Sequence, residues 1–189
     1  MTHRFADITF TDSVKAAQQH YGSRSHNDRL QNLAGPNDQL GSKEAAFIAL
    51  RDTFYLATVN EEGWPYVQHR GGPAGFLKVL GPKQLAYADF RGNTQLISVG
   101  NASKNDRCSL ILMDYPNRRR LKILGHMAVE DANQAGTDAV VEVSHAEYKA
   151  KIERIVLINV VAFDWNCPQH ITRRYTEPEY SERQPKTSV

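Results

Sequence analysis

The sequence predicts a mainly β domain of the α+β class, in which an antiparallel sheet closes on itself into a small barrel with flanking helices. Three observations predict it. Strand-like segments recur roughly every 8–12 residues through the middle of the chain, mostly joined by tight turns. Helical patterns fall near the start, middle and end and not after every strand, which argues against a doubly wound parallel sheet. The GxGxxG turn of a dinucleotide fold is absent.

Residues 1–40 are polar and loosely patterned. Ser13 caps a short helix running to His20, and GSRSHNDRLQNLAGPNDQLG is turn-rich. This stretch reads as an arm that wraps the surface or a partner subunit. SKEAAFIALRD (42–52) reads as a helix capped by Ser42, with Ala46, Phe47 and Leu50 at helical spacing and Glu44 in the first turn. TFYLATVN (53–60), the turn Glu61-Glu62-Gly63 and WPYVQHR (64–70) form a hairpin. FLKVL (76–80), Gly81-Pro82-Lys83 and QLAYADF (84–90) form a second.

NTQLISVGNAS (93–103) has helical spacing, with Asn93-Thr94 as its cap signal. RCSLILMD (107–114) is apolar enough for a central strand, and RRRLKILGHMAVED (118–131) is the next, after a turn at Tyr115-Pro116-Asn117. A helical patch over His145 to Glu153 leads into the β-branched strand RIVLINVVAFDW (154–165), and one more helical turn is expected after Pro168. The polar, Pro-bearing end TEPEYSERQPKTSV reads as a disordered tail. The expected division is an arm over 1–40, a domain over 41–175 and a tail over 176–189.

A chain of 189 residues supports one domain and buries enough surface to fold without disulfide or metal staples. Its net charge of +2, with acidic and basic residues interspersed, argues against a nucleic-acid binder. Cys108 and Cys167 lie far apart, outside any CxxC pair, and read as reduced structural thiols. No apolar stretch is long enough to span a membrane, and the N-terminus lacks a signal-type apolar core. The expectation is a cytoplasmic protein with neither a membrane nor a nucleic-acid partner.

Hydrolase and nucleotide-triphosphatase chemistry find no support: GxSxG and the Walker A sequence are absent. The histidines form no HxH or HxxxH pair, which argues against zinc. What remains is ligand binding at strand ends. In WPYVQHRGGPAGF (64–76) a strand carries His69-Arg70 and dissolves into Gly71-Gly72-Pro73. Glycine admits close approach to the backbone, and a guanidinium offers a planar fork of donors to a phosphate or a carbonyl.

Three further clusters qualify. In Tyr87-Ala88-Asp89-Phe90-Arg91-Gly92-Asn93 a strand enters a Gly turn and a helix start, where Arg91 and free backbone N–H groups make a phosphate cradle or, alternatively, a solvated turn. In RRRLK, alternation puts Arg120 and Lys122 on one face, facing a ligand or solvent. The run from Trp165 through Gln169 to Arg174 closes over a flat aromatic ligand, or else anchors Trp165 in a core or interface.

The order FYLATVNEEGWPYVQHRGGPAGFLKVL, QLAYADFRGNTQL, RCSLILMD, LKILGHMAVED resembles the pyridoxamine 5'-phosphate oxidase-like flavoproteins, FMN-binding proteins with a strand of RG-PGF type, over residues 44–174. The CPQHI segment is similar to the C-terminal turn of some members. The resemblance implies an antiparallel split β-barrel of Greek-key type, and a homodimer with FMN at the subunit interface contacted by both chains. By the same match, Gln68, His69, Arg70 and Gly71 lie along the isoalloxazine and ribityl chain. Tyr87 and Ala88 fall on the strand at the phosphate side, and Arg91 and Asn93 take the place of an Arg-Lys phosphate clamp, with one basic residue fewer. Arg120 or Lys122 falls near a glutamine position, while Trp165 and Arg174 match a C-terminal Trp and Arg supplied by the partner chain.

The family's substrate-grasping Arg-Leu-His-Asp segment has no counterpart, because this chain reads QHITRRY there. The implied activity is an FMN-dependent oxidase or reductase whose small-molecule substrate or electron donor stays open. Two alternatives remain: a haem-binding split barrel, with His69, His126 or His170 as iron ligand, and a non-catalytic flavin carrier or sensor.

Overall fold

Strict alternation along Thr53–Val59 (β1) buries Phe54, Leu56 and Thr58 on one face and leaves Tyr55 exposed on the other. The turn at residues 60–63 returns the chain antiparallel as Pro65–Gly71 (β2), with Thr53 opposite Gly71 and Val59 opposite Pro65. In the turn, Asn60 Oδ1 accepts from the N–H groups of Glu62 and Trp64. The computed structural model describes residues 2–33, 35–165 and 168–183.

The second hairpin is Lys78–Gly81 (β3) with Gln84–Phe90 (β4). Arg107–Asp114 (β5), Arg119–Asp131 (β6) and Ile152–Trp165 (β7) complete a seven-stranded sheet in the order β2-β1-β5-β6-β7-β4-β3, every neighbouring pair antiparallel. The sheet curls around one core that includes Phe54, Leu56, Phe76, Leu110, Leu112, Leu121, Ile123, Val156 and Ile158. Opposite a bulge in β7, where Val161 is left unpaired between the partners of Leu124 and Gly125, Gly125 has no room for a side chain: a Cβ there would stand 2.7 Å from Ile158 Cγ2. Ile97–Lys104 (α5) carries the chain from β4 to β5 and ties to the barrel where Asn101 donates to Thr58 Oγ1 at 3.0 Å. The fold is thus the antiparallel barrel with flanking helices that the sequence predicts.

The helices depart from expectation in detail. The N-terminal arm holds Arg4–Thr9 (α1), Asp12–His20 (α2) and Arg24–Leu33 (α3), of which only the second was legible, and its cap is Thr11 in place of Ser13. This arm docks on β7: His3 and Ala6 are buried, and His3 Nδ1 caps α1 by accepting from the Ala6 N–H. Ser42–Ala49 (α4) has Gly41 and not Ser42 as its cap residue, with Glu44 Oε2 accepting from the Gly41 N–H at 3.0 Å. α5 starts at Ile97, past the Asn93-Thr94 signal.

The helix before β7 is Thr137–Val143 (α6) and not His145 to Glu153. It covers the outer side of β4, so that Ala86, Ala88, Val143 and Ile155 form a second small cluster. Within the expected tail, Glu177–Arg183 forms a helix (α7), capped by Thr176, whose backbone N–H and hydroxyl both bond Glu179. This part of the expected tail is thus helical over Glu177–Arg183, and residues 184–189 lie outside the described residues. No helix among the described residues is long and apolar enough to cross a membrane.

Candidate functional site at the barrel split

β2 and β3 are the two edges of the sheet; past Ala86, where β3 no longer pairs with it, the end of β4 approaches β2 without ladder pairing among the described residues, so the barrel is split along this seam. Two side chains cross it. Arg70 on β2 donates from Nη1 to Asp89 Oδ1 on β4 at 2.7 Å. Asp89 is buried, and its other oxygen accepts from Arg154 Nε on β7, also at 2.7 Å. Asp89 and Arg154 are directly opposite in the β4–β7 register, which puts their side chains on one face. A single carboxylate therefore clamps two guanidiniums. The Arg70 Nε is buried with no hydrogen-bond partner among the described residues.

Two clefts flank Arg70. One, of about 190 Å³, is lined by Gln68, Arg70, Asp89, Asn93, Thr94 and Arg154 among others. The other, of about 160 Å³, is lined by His69, Arg70, Gly71, Phe76, Tyr87 and Ala88 with the end of β4. Ser98 Oγ on α5 donates to Gln68 Oε1 at 3.2 Å, which leaves the Gln68 amide nitrogen to donate to a ligand. The loop from Gly92 to Leu96 holds Thr94 and Leu96 at φ of 60° and 56°, a left-handed conformation that non-glycine residues rarely adopt. Strain of that kind concentrates at ligand clamps.

The structure gathers Gln68, His69, Arg70, Gly71, Tyr87, Ala88 and Asn93 at the split. Tyr87 belongs mainly to the core: it is 1% exposed and packs edge-on against Phe54 and Phe76. Burial pushes its phenol well above the ordinary tyrosine range. Asn93 folds onto its own loop, where Oδ1 accepts from the Gln95 N–H. Arg91 is adjacent but turned away: its side chain is 66% exposed and pairs with Glu153 at 3.5 Å. Gly72 serves packing more than ligand approach, since a Cβ there would stand 2.8 Å from the Phe76 ring.

The remaining expected residues sit elsewhere in the same chain. Lys122 pairs with Asp164 at 2.9 Å beneath the N-terminal arm, with Nζ over the Phe5 ring. Trp165 packs edge-on against Phe47, and its Nε1 donates to Glu44 Oε1 at 2.7 Å, so its anchor is α4 of its own chain. Arg120 is half-buried on β6 with an unpartnered Nε among the described residues. Gln169 is exposed in a turn, and Arg174 stacks its guanidinium 5.2 Å over the Tyr115 ring. Of the histidines considered for iron, His69 lines a cleft, His126 bonds Asp106 at 2.9 Å and His170 occupies the turn at φ 61°. Cys108 is a free buried thiol, and Asn166 and Cys167 lie outside the described residues.

Sequence reasoning missed Asp89 as a clamp and Arg154 altogether. The available signal was a lone carboxylate inside the apolar QLAYADF and an arginine at the foot of the apolar β7.

A barrel split between β2 and β4, with a carboxylate-bridged pair of arginines beside its clefts, defines a split-barrel protein. The family model for pyridoxamine 5'-phosphate oxidase matches residues 40–166, and the chain belongs to that family. Solved structures agree on the fold. HupZ of Group A Streptococcus is 13% identical, with 72% of this chain and 99% of that one covered and a TM-score of 0.53. A candidate pyridoxamine 5'-phosphate oxidase of Lactobacillus delbrueckii is 19% identical, with 68% and 96% covered and a TM-score of 0.52. An FMN-binding protein of Syntrophomonas wolfei is 8% identical, with 82% and 97% covered and a TM-score of 0.50. No curated protein matches the sequence.

Proposed function

We propose that this chain is an FMN-binding flavoprotein, an FMN-dependent oxidoreductase that works as a homodimer with its cofactor at the subunit interface. The observation that carries the reading is Arg70, held at the barrel split with a buried Nε that has no partner among the described residues. A planar cation fixed beside a cleft is suited to a phosphate or to the oxygen-bearing edge of a flavin. Membership of the oxidase family and likeness to an FMN-binding fold support the same cofactor.

The donor set fits. Gln68, Arg70 and the Gly92–Thr94 loop would hold the phosphate side, and His69, Gly71 and Ala88 would line the ring side. When bound, FMN supplies hydride or single-electron transfer. The chain's own residues bind and orient it: Asp89 fixes the Arg70 guanidinium, and Ser98 fixes the Gln68 amide. Hydride transfer requires no protein base, which accords with a site built of binding groups.

Each cleft falls below the roughly 300–1,000 Å³ that encloses a small-molecule ligand, which accords with a site that one chain supplies in part. The outer face of β2, β1 and β5 supports a second copy as the remainder. Val67, Tyr55 and Ile111 stand exposed there on adjacent strands, Val67 at 61%. Pairing across this apolar face would cover it and bring the partner chain beside His69. The resemblance assigns the Trp165 and Arg174 of that partner to the flavin, and the two chains together to a small-molecule substrate or electron donor.

The test is the chromophore of the purified protein. Flavin absorption bands and a released ligand with the mass of FMN are expected. A protein that is colourless, and stays so after FMN is added and the excess removed, overturns the reading. A Soret band would assign the split to haem instead.

A further inference from the structure

Arg154 lies outside every motif that points to the cofactor, yet it lines the cleft with Gln68, Arg70, Asn93 and Thr94. We infer that Arg154 is the second cation of the phosphate subsite, positioned by Asp89, in the role that the sequence assigned to Arg91. The inference rests on the flavin reading above.

Geometry carries it. Asp89 accepts from Arg70 on β2 with one oxygen and from Arg154 on β7 with the other, both at 2.7 Å. Guanidiniums from two elements are thereby fixed toward one cleft before any ligand arrives, which lowers the ordering cost of binding. In Arg154 the Nε and Nη2 groups are engaged, by Asp89 and by Glu153 at 3.3 Å. Its Nη1 amino group makes no hydrogen bond among the described residues, and both Arg154 and Arg70 line the cleft.

Charge agrees. Arg70, Arg91 and Arg154 face Asp89 and Glu153, so the cluster keeps one positive charge in excess. Arg91 does not aim this excess at the cleft, because it leans into solvent against Glu153. Arg154 does, with a half-buried side chain where a charge-assisted bond is stronger than at the surface. A purely structural Arg154 would merely neutralise Asp89 and leave phosphate recognition to others.

Riboflavin, which lacks the phosphate, separates the two roles. FMN and riboflavin affinities are measured by fluorescence titration for the wild type, Arg154→Gln and Arg154→Lys, with folding of each followed by circular dichroism. In Arg154→Gln the FMN affinity is expected to fall about 10- to 100-fold while riboflavin binding changes little. Arg154→Lys keeps a cation on Asp89 and tests the same point if the glutamine variant does not fold. It gives up the second amino edge, and a loss of FMN affinity of about tenfold with riboflavin unchanged is expected. An unchanged FMN-to-riboflavin ratio in the variants that fold overturns the role of Arg154. A wild type that binds neither ligand overturns the flavin reading itself.

Discussion

Arg70 and Asp89 meet at 2.7 Å across the seam between β2 and β4, the place where the curled sheet closes without a ladder. The pair does two things at once. It ties the edge strand of the first hairpin to the opposite side of the barrel, and it fixes a guanidinium in the lining of both clefts.

Removing the carboxylate should therefore cost stability as well as binding. Asp89→Asn leaves Arg70 and Arg154 close together with their shared counter-charge gone. Breaking a buried ion pair from one side costs about 3–5 kcal/mol, and the lower end is expected because both arginines keep some solvent access. Urea unfolding reads this as a lower midpoint at constant slope. A midpoint equal to that of the wild type would show the clamp to be idle.

The two arginines near the split should separate in their effect on the cofactor. Arg70→Ala removes the fixed donor fork and should weaken FMN binding by at least about 30-fold. Arg91→Ala removes an exposed side chain paired with Glu153 and should change it less than about fivefold. Equal losses in the two variants would show that Arg91 swings into the site.

The strands were the most legible part of the sequence. Alternation in TFYLATV and RCSLILMD, and the Asn-, Gly- and Pro-bearing turns between strands, encode local geometry that needs no distant partner. The arm was not legible in the same way. Its helices dock through a few residues such as His3 and Ala6, so no apolar stripe marks them. α6 was misplaced because Thr137–Val143 is rich in valine, a residue that disfavours helix unless packing, here on β4, compensates. Arg70 and Gln68 could be read from their motif, but the Asp89–Arg154 contact joins residues 65 apart through the β4–β7 register. Only the folded chain brings them together.

The dimer proposal predicts a change of mass. Val67 is exposed on β2 beside Tyr55 and Ile111, and a carboxylate there would face its own copy across a two-fold axis. Val67→Asp should yield a folded monomer by light scattering and lose FMN with it. A variant that remains dimeric and loaded would place the interface elsewhere.

Alkaline stability tests the core near the same seam. Burial pushes the Cys108 thiol from its ordinary 9.0 up to about 12. The unfolded chain thus releases this proton near pH 9 while the folded chain keeps it, so folding stability is whole below about pH 9 and falls as pH rises toward 12. The fall amounts to about 1.4 kcal/mol per pH unit from this group, and the buried Tyr87 phenol adds in the same direction above its ordinary 10.0. Cys108→Ala should be less stable at pH 7 yet show a shallower decline between about pH 9 and 10.5. An identical decline in both proteins would mean that the thiol is not shielded.

The proposed FMN site lies at the seam between β2 and β4. Equilibrium titration of FMN fluorescence with the wild-type protein tests it most directly. Saturable quenching that reaches one FMN per chain is expected, with a loss of that quenching in Arg70→Ala while the fold stays intact. Fluorescence that stays at the level of free FMN throughout the titration would contradict it.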